Sequence, residues 1–369
     1  MAPDVSFDSQ APDATRRVRE EARALGFDAV AIARADEPLD TDFERYGAFV
    51  QGGMHGEMQW LAANAEARRR LDGEEILAGA KSVVCLARRY QRTDADEGGD
   101  PDTARTIARY ARGRDYHGFL KKRLRKLAAF VRALGTPDAP VSARALCDDA
   151  PVLERAWAAR AGLGFVGKNG LVIVPGVGSL VLLGEVVTTL ALVPDEPMTE
   201  RCGSCTRCLD ACPTGAFARP FVLDPTRCVS YLTIEHRSAI DVTLRDGIGE
   251  HLFGCDDCQT VCPFNRARAL GTRPESPEDE EGAAPFRPLA RWSTTRLEQL
   301  LALDADAWRV LAEGTPVKRA RAAGLARNAA IVLGNRGEGL AALRQAASAH
   351  ADSMVREAAA WAVAKIERT

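Results

Sequence analysis

The sequence predicts an α+β chain in three parts, and three observations support that prediction. Strand-like apolar runs alternate with helical patterns through the first half, which predicts an N-terminal α/β domain. Eight of the ten cysteines lie between Cys202 and Cys262, and the alanine-rich sequence after Trp292 has helical periodicity throughout. An acidic segment containing proline and glycine, Ala269–Pro285, separates the last two parts. The expected domains are residues 1–195, 196–268 and 286–369.

The composition is that of an ordinary folded protein. Of 369 residues, 46% are hydrophobic and 27% are charged, as is usual for a soluble globular chain. Residues Met1–Pro12 lack the basic start and apolar run of a signal peptide, and no apolar stretch is long enough to span a membrane. We therefore expect a cytoplasmic protein whose cysteines are reduced and bind metal.

The net charge of −2 conceals two basic regions. Between Ala104 and Arg144 there are 11 Lys/Arg against 2 Asp/Glu, and between Thr315 and Thr369 there are 9 against 4. Two such regions could form a footprint for a polyanion. A merely solvated helix face is the alternative for each of them.

The elements of the N-terminal part follow from local patterns. Ala14–Gly26 predicts a helix that ends at a glycine, with a strand directly after it. Lys81–Ala87 predicts a second strand, and a basic amphipathic helix with a leucine stripe follows further on. Leu171–Val174 and Leu180–Leu190, joined by a Pro-Gly turn, predict a buried β-hairpin.

The run Gly162-Leu-Gly164-Phe-Val-Gly167 matches the G-x-G-x-x-G pattern of dinucleotide-binding folds. That fingerprint must follow a strand and open a helix. Here a helix precedes the glycines and a strand follows them, so we reject a Rossmann site. The glycines are expected to end the helix and to let the backbone approach something flat or bulky.

The cysteine spacing predicts a ferredoxin-like domain with two 4Fe–4S clusters. Cys202-x2-Cys205-x2-Cys208-x3-Cys212-Pro213 is the pattern of bacterial ferredoxins, and Cys255-x2-Cys258-x3-Cys262-Pro263 closes the block. The fourth cysteine of such a run binds the other cluster. We assign Cys202, Cys205, Cys208 and Cys262 to cluster one, and Cys212, Cys228, Cys255 and Cys258 to cluster two.

Zinc is the alternative for these cysteines, since C-x2-C pairs also form zinc knuckles. The run crowds its thiols too closely for two separate tetrahedral zinc ions, and a proline after each closing cysteine fits the ferredoxin pattern. Disulfides are the weakest option, because nothing indicates an oxidising compartment.

The C-terminal part contains a short internal repeat. Arg327–Gly334 and Arg356–Val363 share a pattern at a 29-residue offset, which predicts HEAT-like helical repeats. Such repeats stack into a surface that binds another macromolecule. An ordinary helical hairpin is the alternative, since two repeats are few.

Two clusters move electrons singly, so the large N-terminal part indicates a catalytic domain that they supply. Five segments of the chain resemble the epoxyqueuosine reductase family, and the similarity extends over nearly the whole chain. They are Arg109–His117, Asp148–Arg155, Ala161–Lys168, Cys228–Glu235 and Gly254–Pro263. The resemblance implies a cytoplasmic enzyme that reduces epoxyqueuosine at the tRNA wobble position to queuosine. It also implies cobalamin beside the two clusters, and a relationship to reductive dehalogenases.

By this resemblance, Asp148 is the residue that protonates the departing epoxide oxygen. A carboxyl that acts as an acid at neutral pH needs a raised pKa, which the apolar neighbours Leu146 and Cys147 would supply by desolvation. Asp149 is expected to cap the helix after Pro151.

The resemblance also assigns the cofactor and tRNA contacts. Val172 and Leu183 would line the corrin through backbone groups, and Ser230, Cys255 and Asp256 would contact it beside cluster two. The tRNA surface would use Thr233, Ile234, Glu235, His236 and Arg237, together with the basic repeat face around Arg327.

The expected partners are tRNA with epoxyqueuosine in its anticodon stem-loop and an electron donor such as a flavodoxin or ferredoxin. A monomer without membrane attachment is expected. Two alternatives remain open. One is a corrinoid reductive dehalogenase of a small organohalide, which usually carries an export signal. The other is a non-catalytic iron–sulfur electron carrier, which would bind no corrinoid.

Overall fold

The structure is a computed structural model that describes residues 11–91, 98–266, 270 and 284–368. Within those residues, no helix is both long and apolar enough to cross a membrane. Nearly all of the predicted linker Ala269–Pro285, and most of Met1–Pro12, lie outside the described residues.

The N-terminal part combines helices with a central sheet and two short paired strands. Its helices are α1 (Ala11–Ala24), α2 (Asp40–Gln51), α3 (Gln59–Ala62), α4 (Asp102–Arg105), α5 (Tyr116–Arg132) and α6 (Glu154–Arg160), with 3-10 turns at Glu66–Arg68 and Arg109–Ala111. Its strands are β1 (Ala29–Arg34), β2 (Ser82–Arg89), β3 (Ala143–Leu146), β4 (Phe165–Val166), β5 (Val172–Ile173) and β6 (Val181–Thr188).

The sheet has the order β1–β2–β6–β3, and every neighbouring pair in it is antiparallel. Helices α1 and α5 pack on one face, and α6 with its flanking loops packs on the other. Both faces of β2 are therefore buried, as its apolar sequence predicts. The predicted mixture of helices and strands is confirmed, but the pairing is antiparallel rather than the parallel arrangement of an α/β fold.

The basic helix α5 begins at Asp115, whose carboxylate accepts the His117 backbone N–H. Its leucine stripe lies against the sheet, and Leu120 and Leu124 are fully buried. Gly184 on β6 permits this close packing, because a Cβ there would lie 2.7 Å from Leu124 Cδ1. The sequence prediction for this helix is confirmed.

The predicted β-hairpin is wrong. Strand β5 pairs with β4, whereas β6 lies between β2 and β3 in the main sheet. The Pro-Gly turn closes only a single bridge between Val174 and Gly178. Segments that are apolar on both faces can occupy a central strand position, so adjacency in sequence did not decide which strands pair.

The glycines of the 162–167 run approach the chain itself rather than a ligand. A Cβ on Gly162 would lie 2.2 Å from the carbonyl oxygen of Glu196, and one on Gly164 would lie 2.3 Å from that of Ile173. Gly162 also has a φ of +70°, which suits its place just after α6. The predicted helix end is confirmed. The expected approach to something flat or bulky is wrong as far as these two glycines are concerned.

The cysteine-rich part has only short elements. They are α7 (Arg207–Asp210), β7 (Phe217–Arg219), β8 (Val222–Leu223), α8 (Val229–Ile234), α9 (Val242–Ile248) and α10 (Asp257–Thr260), with 3-10 turns at Pro225–Arg227 and Pro263–Asn265. Strands β7 and β8 pair antiparallel as a two-stranded ribbon. So little regular structure cannot bury a core of its own, and this part depends on its neighbours.

The C-terminal part is helical in all its described elements. They are α11 (Ala305–Ala312), α12 (Arg321–Arg336), α13 (Leu340–Ala349) and α14 (Ser353–Ile366), with 3-10 turns at Ala284–Phe286, Ala290–Ser293, Leu297–Ala302 and Pro316–Ala320. The two segments of the predicted repeat fall on α12 and α14, which pack together so closely that a Cβ on Gly334 would lie 2.7 Å from Ala362 Cβ.

One hydrophobic core joins all three parts. It contains Ile107 from the N-terminal part, Leu232 and Ile248 from the cysteine-rich part, and Trp292 and Leu333 from the C-terminal part. Helix α12 is buried along most of its length within this core. The cysteine-rich part is therefore held against the other two by burial of apolar side chains.

Candidate active site

We call Cys202, Cys205, Cys208 and Cys262 the first set and Cys212, Cys228, Cys255 and Cys258 the second set, and thiols within each set affect one another's pKa. In the first set, burial raises the pKa of Cys208, and the thiols of Cys262 and Cys205 raise it further. In the second set, burial raises the pKa of Cys228, and the thiol of Cys212 adds to the effect. Burial also raises the pKa of Cys255, with contributions from Cys258 and Cys228. Which thiols bind each cluster remains a prediction.

The two sets of thiols are adjacent. Burial raises the pKa of Cys258 to about 12, and the thiols that add to it include Cys228 and Cys212 of its own set and Cys208 of the other. On the far side of the first set, Phe165 and Phe264 pack around Cys262. Apolar side chains thus cover one side of the first set at Cys262, while Cys202, Cys205 and Cys208 are partly exposed.

Polar groups surround Cys255 of the second set. Ser230 Oγ accepts the Cys255 N–H at 3.1 Å, and His251 Nε2 lies 3.7 Å from Cys255 Sγ and 3.0 Å from Asp257 Oδ2. Asp256 is buried, and its Oδ2 accepts the backbone N–H of Arg109 at 2.8 Å. His251 is not among the predicted site residues, because a histidine four residues before a cysteine has no signature of its own.

Asp148 follows β3 and is held by two side chains from the start of α5. The Tyr116 hydroxyl donates to Asp148 Oδ2 at 2.9 Å, and His117 Nε2 lies 3.5 Å from the same oxygen. Asp148 has a φ of +54°, in the left-handed region that is strained for most residues other than glycine. Strained backbone of this kind is concentrated at functional sites.

His117 is itself held by Asp115. Its Nδ1 lies 2.6 Å from Asp115 Oδ1, and Lys318 pairs with the other oxygen of that carboxylate. The bond to Asp115, followed by the bond to Asp148, raises the pKa of His117 to about 9. The imidazole is therefore protonated at neutral pH, and a proton donor stands beside Asp148.

The predicted state of Asp148 is wrong. Burial does oppose its ionisation, but the hydrogen bonds from His117 and Tyr116 outweigh burial, and the pKa of Asp148 lies below its usual range. The sequence showed the apolar neighbours Leu146 and Cys147 but not the partners some thirty residues earlier. Tyr116 and His117 lie in a segment that carries the family resemblance, but that resemblance implies no role for them.

Asp149 does not cap a helix, so that prediction is also wrong. Helix α6 begins later, at Glu154, and no side chain caps its first turn. Asp149 instead accepts the Cys147 backbone N–H and pairs with Lys121 at 2.9 Å. The residue that contacts the Asp148 backbone is Glu154, whose Oε1 accepts the Asp148 N–H at 2.8 Å.

One edge of β6 is open beside Asp148. Strand β3 pairs only with residues 185–188 of β6, so the described structure places no strand along residues 181–184 on that side. The Tyr90 N–H bonds Leu180 O, and the Thr189 N–H bonds Ser142 O. Because such bonds alternate along an antiparallel strand, the backbone groups of Leu183 face the open edge. Leu183 is half-buried, whereas Val172 on β5 is buried.

The segment Arg109–His117 connects this edge to the second cysteine set. Its first residue bonds Asp256, and Tyr110 packs edge-on against Tyr116 with ring centroids 6.0 Å apart. The structure therefore brings Asp148, Leu183 and the cysteines of the second set to one region, linked by a single stretch of chain.

The structure contradicts two predicted tRNA contacts. Arg327 is only 1% exposed and donates to the carbonyl oxygens of Leu232 and Ser238 at 2.6 and 2.7 Å. Thr233 is also 1% exposed, and its hydroxyl bonds Val229 O and the Gly254 N–H. Both side chains form hydrogen bonds to backbone groups in and near α8, and neither faces outward. The sequence showed a basic repeat but could not show which of its residues point inward.

The other predicted tRNA residues are partly exposed and tied to their surroundings. Glu235 accepts a hydrogen bond from Arg319 at 2.8 Å, and His236 Nδ1 lies 3.6 Å from Glu57 Oε1. Arg237 donates to the carbonyl oxygen of Ile234 at 2.8 Å. Ile234 packs partly buried against the shared core.

An α+β fold that places an aspartate–histidine pair near eight clustered cysteines is typical of an iron–sulfur redox enzyme. Residues 201–265 match the family described as "4Fe-4S double cluster binding domain", which confirms the prediction of two 4Fe–4S clusters. Residues 70–149 match the family described as "Epoxyqueuosine reductase QueG, DUF1730".

Full-length relatives agree with these matches. The chain is 42% identical over 336 residues to the epoxyqueuosine reductase of Gloeobacter violaceus, covering 90% of this chain and 99% of that protein. The chain belongs to the epoxyqueuosine reductase family, as its sequence resemblance predicts.

Solved structures of the family have the same fold. One is a crystal structure of epoxyqueuosine reductase with an epoxyqueuosine-modified tRNA-Tyr stem loop. It has a TM-score of 0.81 and 30% identity over 95% of this chain and 89% of that one. Another is the Bacillus subtilis enzyme with an aspartate-bearing catalytic loop swung out of the active site. It has a TM-score of 0.78 and 30% identity over 95% of this chain and 90% of that one.

Proposed function

We propose that this protein reduces epoxyqueuosine in tRNA to queuosine, using two 4Fe–4S clusters and cobalamin. The observation that supports this most directly is the convergence of Asp148 and the second cysteine set along Arg109–His117. Removing an epoxide oxygen as water and leaving a double bond consumes two electrons and two protons. The reaction therefore needs an electron supply and a proton supply at one place.

The open edge of β6 fits a large flat cofactor. Backbone groups of Leu183 that face no strand can bond the amide side chains of a corrin, and Val172 would support it from β5. Ser230, Cys255 and Asp256 would contact it on the cluster side. Cobalamin, when bound, supplies a cobalt centre that can be reduced to a strong nucleophile or reductant.

The proton is moved by this chain's own side chains. We assign Asp148 as the group that delivers a proton to the departing epoxide oxygen. Since Asp148 is ionised at rest, it takes this proton from His117, which is protonated at neutral pH and stands 3.5 Å away. Tyr116 holds the Asp148 carboxylate in place through its hydroxyl.

Exposed basic residues beside the site would bind the tRNA. The Arg319 guanidinium lies 5.6 Å from the centre of the Trp60 ring, and both side chains are about half exposed. Lys318 is 60% exposed next to Asp115. An exposed aromatic ring beside an arginine can stack an unpaired base, and the lysine can contact phosphate. HEAT-like packing of α12–α14 would support this surface from behind, and Arg327 would fix the loop at residues 232–238.

The remaining partners follow from this assignment. A tRNA substrate places the enzyme in the cytoplasm, and a flavodoxin or ferredoxin is the electron donor we propose. The protein is proposed to act as a monomer.

The test is a single turnover with anaerobically reduced protein and an anticodon stem-loop carrying epoxyqueuosine. We expect queuosine by mass spectrometry of the nucleosides, and bound corrinoid in the purified protein. Corrinoid without conversion of the stem-loop, but with loss of halide from a small organohalide, would favour the dehalogenase. Clusters without corrinoid would favour the electron carrier.

A further inference from the structure

Glu185 is a carboxyl group in the middle of the main sheet with no visible partner. It is 0% exposed, and neither carboxylate oxygen has a hydrogen-bond partner among the described residues. A buried charge without a partner is too costly to keep, so such a group normally holds a proton instead. Its place in the fold therefore calls for an explanation.

The strand register places Glu185 next to the strand end that leads into the Asp148 loop. Its partners across the sheet are Cys85 on β2 and Leu146 on β3, and Leu146 is two residues before Asp148. Its face of the sheet is covered by α6, whose first residue is Glu154. Glu154 in turn accepts the Asp148 N–H.

Electrostatics favour protonation of the two glutamates. Burial raises the pKa of Glu185 well above its usual value, and the carboxylates of Glu154, Asp148 and Asp149 raise it further. Burial likewise raises the pKa of Glu154, while the hydrogen bond from Asp148 and the charge of Arg155 oppose that rise only in part. The thiols of this region add no charge, because burial raises the pKa of both Cys85 and Cys147 and both stay protonated.

The proposed reaction needs one more proton than His117 supplies to Asp148. Asp148 is ionised at rest, and His117 contributes one proton. The conversion of an epoxide to an alkene and water takes two. A second proton must therefore reach Asp148, whose side chain is 56% exposed, from solvent or from another group of the protein.

We propose that Glu154 and Glu185 together hold this second proton and pass it to Asp148 during each turnover. One proton moves per turnover: Glu185 holds it at rest and passes it to Glu154, and Glu154, which contacts the Asp148 backbone, passes it to the Asp148 carboxylate. Solvent restores the pair after the product leaves. Both glutamates act through Asp148 rather than on the substrate. This inference rests on the proposed function, whose two electrons come from the two clusters.

The first test is infrared spectroscopy of the holoenzyme at neutral pH. A protonated carboxylic acid has a C=O stretching band separate from those of carboxylates. We expect Glu185→Gln to remove such a band and Asp149→Asn, the matched control, to leave it, because the pKa of Asp149 is lowered. A band that survives in both Glu185→Gln and Glu154→Gln would overturn the proposal, since the glutamates would then hold no proton.

The second test is the pH profile of single-turnover conversion by the reduced holoenzyme. In the wild type, the plot of rate against pH should show a first fall where rising pH removes the proton held by Glu154 and Glu185. In Glu185→Gln this step should disappear and the rate at neutral pH should fall about tenfold, below the range for a direct general acid. A defect that is only structural would lower the rate equally at every pH and keep the step.

Glu154→Gln provides a second variant if Glu185→Gln does not fold. Wild-type rates and profiles in the folded variants would overturn the proposal. If the wild type itself binds the stem-loop but does not convert it, the proposed function fails, and the infrared result still decides whether the glutamates hold a proton.

Discussion

The proton-carrying and electron-carrying regions of this protein meet along Arg109–His117 but are stabilised in opposite ways. Around Asp148, protein groups stabilise the charge of the carboxylate, because Tyr116 and His117 form hydrogen bonds with it and lower its pKa. Around the cysteines, burial raises the pKa of Cys202 to about 11 and of Cys258 to about 12. Thiols in that state stay protonated at neutral pH until metal displaces the proton. In the first region, the charged carboxylate is stabilised by protein groups. In the second region, the charged thiolates are stabilised by iron.

Replacing one cluster ligand should sharpen this contrast most strongly. Cys228→Ser should lower the iron content from about eight to about four per chain, since each cluster has four irons. Turnover should be abolished, while the hydrogen bonds around Asp148 stay in place. Iron analysis and electron paramagnetic resonance of anaerobic protein provide the measurement. Cys85→Ala, which removes a buried thiol outside both sets, should keep all the iron; unchanged iron in Cys228→Ser would contradict the ligand assignment.

Asp148→Asn tests the proton-carrying region alone. The amide keeps the shape of the side chain but cannot pass a proton on, so conversion should fall by about 10²–10⁴-fold. Clusters, cobalamin and tRNA affinity should be retained. Single-turnover conversion by pre-reduced enzyme is the assay, because it bypasses electron delivery. Asp149→Asn is the neighbouring control and should cost far less. A wild-type rate in Asp148→Asn would show that the proton comes from another group.

The pH dependence of the rate should report on His117. Its pKa is raised from 6.5 to about 9, so its proton is present at neutral pH and is lost as pH rises through about 9. The wild-type rate should fall over that last step. His117→Gln should lose the step and convert substrate about tenfold more slowly at neutral pH, again below the range for a direct general acid. His350→Gln, in the C-terminal part, should leave the profile as it is. A step near pH 9 that persists in His117→Gln would assign the titration elsewhere.

The same protonation affects stability. Folding raises the pKa of His117, so its stabilising contribution is fully present below pH 6.5 and declines as pH rises through about 9. Thermal unfolding of wild type and His117→Gln across that range should converge at the alkaline end.

The smallest expected effect concerns tRNA binding, which neither region provides. Arg319→Ala should weaken stem-loop affinity a few-fold and reduce its salt dependence by about one charge, if Arg319 contacts a phosphate. Arg344→Ala removes a somewhat more exposed arginine on α13, 61% against 51% for Arg319, and serves as the control. Binding assays at several salt concentrations distinguish the two. Equal salt dependence in both variants would remove Arg319 from the tRNA surface.

Much of this molecule was predictable because its signals are local. The spacing of the cysteines predicted two sets, and the leucine stripe of α5 predicted the face that packs on the sheet. The resemblance also selected Asp148, whose catalytic role stays a prediction; it follows β3, beside the open edge of β6.

Most of the errors concern contacts between distant segments. The turn after β5 suggested a hairpin, but β6 found both its neighbours elsewhere in the chain. The neighbours of Asp148 in sequence suggested a raised pKa, but Tyr116 and His117 lower it from more than thirty residues away. Arg327 looked like a surface cation because its pattern is basic and helical, yet it binds carbonyl groups nearly a hundred residues earlier.

The burial of Arg327 has a consequence for the order in which the protein matures. Together with Asn328, which bonds Thr233 O and Leu252 O, it fixes the backbone that runs from Cys228 to Cys255, close after the first cysteine and close before the second. Arg327 and Asn328 leave the ribosome long after the cysteines do. Because chains fold from the N-terminus during synthesis, the thiol loops stay open until α12 has been made. We therefore expect iron to be inserted into the finished chain rather than into the nascent one.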